Sequence, residues 1–137
     1  MTEVVLHKIA SLERCISQVR AYYAEKRDIQ FEVDFLLQDA IAMNLQRACE
    51  LAIDLANYTV RKEKIGLPKH SREGFEILAQ QKIISLEVAG KMKKMIGFRN
   101  TLVHQYQQVD IKLMVEIIEV HVEDLLRFSQ QIKNHFS

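Results

Sequence analysis

The sequence predicts an all-α fold, an up-down helical bundle of about five helices, and three observations carry that prediction. Apolar residues recur at steps of three and four over long stretches, the 137 residues include only 4 Gly and 1 Pro, and no segment alternates apolar and polar residues as a half-buried strand would. At this length the chain reads as one domain over 1–137, long enough to bury a core without disulfides or metals.

The first helix is expected from about Thr2 to Lys26, because Val5, Ile9, Leu12, Ile16, Val19 and Tyr23 fall on one stripe. Arg27-Asp28-Ile29-Gln30 turns the chain. A second, longest helix follows from about Val33 to Lys64, with Ile41, Leu45, Ala48, Ala52 and Leu55 as its apolar face, widened by Leu51 and Tyr58. The same helix carries a polar stripe, Arg47, Glu50, Asp54, Asn57 and Arg61. Such a stripe is either a solvated face laced with ion pairs or the wall of a dimer or substrate groove.

Gly66-Leu67-Pro68 is the clearest stop signal: Gly66 can take a left-handed cap and Pro68 cannot continue a helix. Ser71 is the expected N-cap of a short third helix reaching about Gln80, with Phe75 and Leu78 buried. Ser85 should cap a fourth helix from Leu86 to about Val103. Asp110 should cap a fifth from Ile111 to about His135, whose buried face joins Ile111, Met114, Ile118, Leu125, Phe128 and Ile132. Helices with one apolar stripe each and short connections pack as an up-down bundle.

A formal net charge of +1 means that any anionic partner must be held by a local patch rather than by global attraction. Cys15 and Cys49 fit neither a CxxC nor a metal-ligand spacing and read as reduced thiols within the core. With Glu3 near the start, no apolar leader and no apolar run of membrane-spanning length, a cytoplasmic location without a membrane partner is expected.

One residue contradicts its surroundings. Val88, Met92, Met95 and Leu102 mark the apolar stripe of the fourth helix, and Arg99 falls on it. A guanidinium cannot shed its charge, so at that position it needs a carboxylate, a phosphate or water; the simplest account is an Arg that snorkels or pairs with an acid. His104 follows five positions later, a rotation of about 140° on a straight helix. The two side chains can meet only if the helix ends near Val103 or if they come from different subunits. His7, His70, His121 and His135 read as structural.

Arg99, Asn100, His104 and Tyr106 together spell R-N-x3-H-x-Y. This resembles the motif of the HEPN superfamily, in particular the HepT-type toxins of MNT/HEPN toxin–antitoxin pairs. The likeness extends through the segment from Leu51 to Asn57, Gly66-Leu67-Pro68, the stretch from Ser71 to Leu78 and the run from Met95 to Asn100, covering roughly residues 35 to 110. It implies a metal-independent endoribonuclease that needs no cofactor and works as a homodimer, with both motifs facing one cleft. Residue chemistry agrees: RNA supplies its own 2′-OH nucleophile, a histidine transfers protons at neutral pH, and an Arg offsets phosphorane charge.

On that resemblance Arg99, His104 and Asn100 form the catalytic set, with Arg99 on the phosphate, His104 as general acid or base, and Asn100 orienting backbone or substrate. The resemblance further implies that a cognate nucleotidyltransferase antitoxin adenylylates Tyr106, placing AMP beside the catalytic pair. Asp54 could anchor Arg99 from the polar stripe. Lys91 and Lys94, with Lys93, could extend a phosphate-binding strip toward RNA, or simply form a solvated face. The competing reading is a non-catalytic helical subunit that binds substrate for, or regulates, a small nucleotidyltransferase.

Overall fold

The computed structural model describes residues 2–104 and 110–137, and these residues contain helices and no strand. Helix α1 (Glu3–Ala24) starts at Thr2, whose hydroxyl accepts from the Val5 amide at 3.4 Å. Its stripe from Val5 to Val19 is buried as the periodicity requires, and Tyr23 is half-buried at the end.

Helix α2 (Phe35–Glu63) begins two residues later than Val33, after a short 3-10 turn at Phe31–Val33. The reason is Asp34, a buried carboxylate that accepts from the Leu37 amide at 3.3 Å and is clasped by the Arg27 guanidinium. Arg27 first, then the Leu37 amide, holds this carboxyl below the usual carboxylate range despite its burial. The loop is therefore pinned onto the helix by its own turn residues.

The end of α2 corrects one expectation. The left-handed cap is Lys64 (φ 56°, ψ 42°), not Gly66, which has no positive φ. Gly66 matters instead for space, since a Cβ there would sit 2.9 Å from Ile77 Cδ1. Helix α3 (Glu73–Gln80) is capped by Arg72 without any side-chain bond, so Ser71 is not its N-cap. What holds this short helix is packing: Phe75 and Leu78 are fully buried, and Phe75 meets Phe128 edge-on at 5.2 Å.

Helix α4 (Leu86–His104) begins where Ser85 accepts from the Val88 amide at 3.1 Å. Asp110 likewise accepts from Leu113 at 3.1 Å and opens α5 (Ile111–Glu116). The long fifth helix expected from the sequence is interrupted by a π turn at Ile117–His121, where the Val122 amide bonds the Ile117 carbonyl five residues back, before α6 (Val122–Phe136) continues. The wider turn keeps Ile117, Ile118 and Val122 all inside the core.

Helix α1 packs along α2 and α6, and α4 lies across α2, α3 and α6. Arg20 with Glu123 and Tyr23 with Glu119, each at 2.8 Å, tie the end of α1 to the π turn and the start of α6. Among the described residues no helix is long and apolar enough to cross a membrane.

Candidate functional site

Helix α4 brings Arg99 to the face that its apolar neighbours bury. Val88, Met92 and Met95 are sealed in the core, whereas the Arg99 side chain keeps 19% of its exposure. Its charge is met from two sides. Nη1 donates to Glu50 Oε1 at 2.6 Å, and Nε and Nη2 both donate to Asn100 Oδ1 at 3.2 and 2.9 Å. The guanidinium is thus held in a fork whose carboxylate comes from α2 and whose amide comes from the next residue of its own helix.

The carboxylate that meets Arg99 is Glu50 rather than Asp54. Both stand on the polar stripe of α2 four positions apart, and spacing alone does not decide between them. Asp54 lines a neighbouring groove between α1 and α2, together with Glu50. Glu50 is the residue that sequence reasoning missed: it was visible as a member of the stripe, but nothing in the sequence fixes the offset at which α4 crosses α2.

Arg99 opens on a cleft of about 400 Å³ between α2 and α4. Met43, Phe98 and Leu102 form apolar walls, and Asp39, Gln46 and Cys49 add polar atoms. Burial pushes the Cys49 thiol up to about 12, with Arg99 pulling down and Glu50 pushing up more weakly. At neutral pH that thiol stays protonated and is a poor nucleophile. Among the described residues no three His, Cys, Asp or Glu side chains gather as a metal site.

The lysines separate. Lys91 Nζ lies 4.0 Å from Asp124 and Lys93 Nζ 3.4 Å from Glu76, so both are committed to neighbouring helices. Lys94 Nζ stands 5.6 Å above the Phe98 ring, at the edge of the Arg99 cleft. The other face of this region is His121 in the π turn, whose ring lies 4.8 Å from that of Phe98 and 3.1 Å from Glu116.

The backbone of α4 stays helical through His104. The positions of Arg99 and His104 are therefore about 140° apart around one axis, since each residue of an α-helix turns about 100°. The helix does not unwind at Val103 to bring them together. The His104 side chain and Tyr106 lie outside the described residues.

Comparisons with known proteins give the family. The family described as Ribonuclease HepT-like matches residues 12–132. The mRNA nuclease HepT of Shewanella oneidensis is 39% identical over 97% of this chain and 98% of its own length. A tRNA nuclease HepT of Aphanizomenon flos-aquae is 28% identical, covering 66% of this chain and 62% of that protein. The solved structure of a tri-AMPylated Shewanella oneidensis HEPN toxin in complex with MNT antitoxin superposes with a TM-score of 0.89 at 39% identity, covering 98% of this chain and 99% of that one. The chain therefore belongs to the HepT-like ribonuclease family and is a ribonuclease by class.

Proposed function

We propose that this protein is a metal-independent endoribonuclease toxin that cleaves RNA at a site shared between two copies of the chain and is silenced by adenylylation of Tyr106. The observation that carries the reading is Arg99, a guanidinium held by Glu50 and Asn100 on the wall of a cleft, where an always-charged donor can turn to a phosphodiester.

In this scheme one His104 takes the proton of the ribose 2′-OH as its oxygen attacks phosphorus. The second His104 gives a proton to the departing 5′-oxygen, leaving a 2′,3′-cyclic phosphate and a 5′-hydroxyl. Arg99 offsets the charge on the non-bridging oxygens, and Asn100 keeps Arg99 oriented. Two histidines are needed and each motif has one, which a twofold dimer resolves.

Two features support that dimer. The α4 backbone, helical through His104, sets the positions of Arg99 and His104 about 140° apart around its axis, which favours a site that takes them from two chains. A stripe of exposed apolar residues, Phe35 at 68%, Leu36 at 73% and Met43 at 55%, also runs along α2 to the rim of the Arg99 cleft. Tyr106 closes the motif two positions after His104. The Shewanella relative carries AMP groups and is bound to an MNT antitoxin, which supports a nucleotidyltransferase partner for this chain as well.

The test is cleavage of total RNA in EDTA by the wild-type protein, beside Arg99→Ala and His104→Ala. The wild type should cut and both variants should not. If all three leave the RNA equally intact, the protein is a binding subunit instead. After incubation with ATP and the neighbouring nucleotidyltransferase, intact mass should rise by one or more AMP units, and not in Tyr106→Phe.

A further inference from the structure

A second groove lies against the first. It runs between α1 and α2, encloses about 540 Å³, and shares Met43 and Gln46 with the Arg99 cleft, while Glu50 lines it and bonds Arg99 on the other side. Three of its residues have no role in the scheme above. Arg14 and Arg47 are exposed and form no ion pair among the described residues. Both line this groove beside Cys15, Arg14 from α1 and Arg47 from α2.

The third is Asn44. It is 6% exposed, its Nδ2 donates to the Ala40 carbonyl at 2.9 Å, and its Oδ1 is buried with no partner. Turning the amide over would set two carbonyl oxygens against each other, so the unpaired atom is the acceptor. A buried acceptor without a donor costs free energy that the fold does not recover.

We propose that this α1–α2 groove binds single-stranded RNA adjacent to the scissile bond: Arg14 and Arg47 take a flanking phosphate, and Asn44 Oδ1 accepts from a base amino group or a 2′-hydroxyl. The proposal rests on the ribonuclease reading and extends its substrate track beyond Arg99. Two guanidinium groups suit a phosphate, the orphan acceptor suits the donors that nucleotides carry, and the groove continues into the cleft where cleavage would occur. Glu50 is already neutralised by Arg99, and Asp54 at the other end disfavours phosphate there and so sets the position of the strand.

The experiment uses the full-length protein and a fluorescein-labelled single-stranded RNA oligonucleotide. Equilibrium binding is measured against salt in a His104→Ala background, and steady-state cleavage is measured with His104 intact. Arg14→Gln with Arg47→Gln should weaken binding about ten-fold and flatten the slope of log K against log salt by about 0.7, the value for one phosphate contact on a single strand. In cleavage KM should rise by a similar factor while kcat holds, because the lost contact is made equally in ground and transition states. Asn44→Leu should weaken binding while leaving the melting temperature unchanged or higher.

Arg61→Gln, the same charge change farther along α2, is the control. If the groove variants cleave and bind like wild type, or if Arg61→Gln reproduces their loss, the groove is not an RNA site although the nuclease reading stands. If they change the dimer fraction in sedimentation but not RNA binding, the groove holds a protein surface and the proposal fails. If the wild type neither binds nor cuts RNA, both readings fall together.

Discussion

Removing the carboxylate that holds Arg99 tests the central reading most sharply. Two unit charges about 4 Å apart attract by about 4 kcal/mol at an effective dielectric near 20. Glu50 is half exposed, at 52%, so water and salt screen most of that, and a net value of about 1 kcal/mol is the reasonable expectation. Leaving a mostly buried guanidinium with only Asn100 adds a desolvation cost of about 1 kcal/mol. Glu50→Ala should thus destabilise by about 2 kcal/mol, a fall of several degrees in Tm for a chain of this size.

Arg99→Met should behave oppositely. It replaces the charge on an apolar stripe with a side chain that belongs there, so stability should hold or rise while RNA cleavage is lost. In the double variant Glu50→Ala should cost nothing further, giving a coupling of about 2 kcal/mol in a double-mutant cycle followed by thermal and urea unfolding. If Arg99→Met destabilises by more than about 2 kcal/mol, or if the two changes add independently, Arg99 is a structural residue and its placement at a functional cleft is refuted.

Other consequences can be measured on the same protein. Leu36→Glu should convert dimer to monomer in sedimentation and abolish cleavage without lowering helix content, since it charges the exposed apolar stripe of α2. Asp34 has a depressed carboxyl, so its contribution is present above the ordinary value near about pH 4 and disappears as pH falls through the lower folded value. The Tm gap between wild type and Asp34→Asn should therefore close in acid; a gap that stays constant would contradict the Arg27 clasp. Cys49, raised to about 12, should resist a thiol reagent at about pH 8 until the protein is unfolded, and stability should decline as pH rises above the unfolded thiol value near about 8.5.

Where the sequence was sufficient, the physics was local. The stripe of α1, the Ser85 and Asp110 caps and the buried Phe75–Leu78 pair follow from periodicity and from short-range hydrogen bonding, and the structure has them all. It failed where two local solutions compete. Gly66 and Lys64 could each end α2, and the chain takes the left-handed cap at Lys64, leaving Gly66 close against the Cδ1 end of Ile77. The π turn at Ile117–His121 was invisible because one extra residue in a helix leaves the apolar spacing on either side intact.

The candidate site shows the same division more clearly. That Arg99 needed an opposite charge was deducible from one helix, because the cost of burying a guanidinium does not depend on which acid relieves it. That the acid is Glu50 depends on how far α2 slides past α4, which only the packed core determines. A site whose two main residues lie about 140° apart on one helix extends the dependence one level further, to the assembly. Each chain places its own Arg99 with Glu50 and Asn100, and the proposed cleft takes its second histidine from another chain. Cleavage should accordingly depend on protein concentration at the dimer dissociation constant, and a mixed dimer of wild type with His104→Ala, which keeps one histidine where the scheme needs two, should lose most of its cleavage.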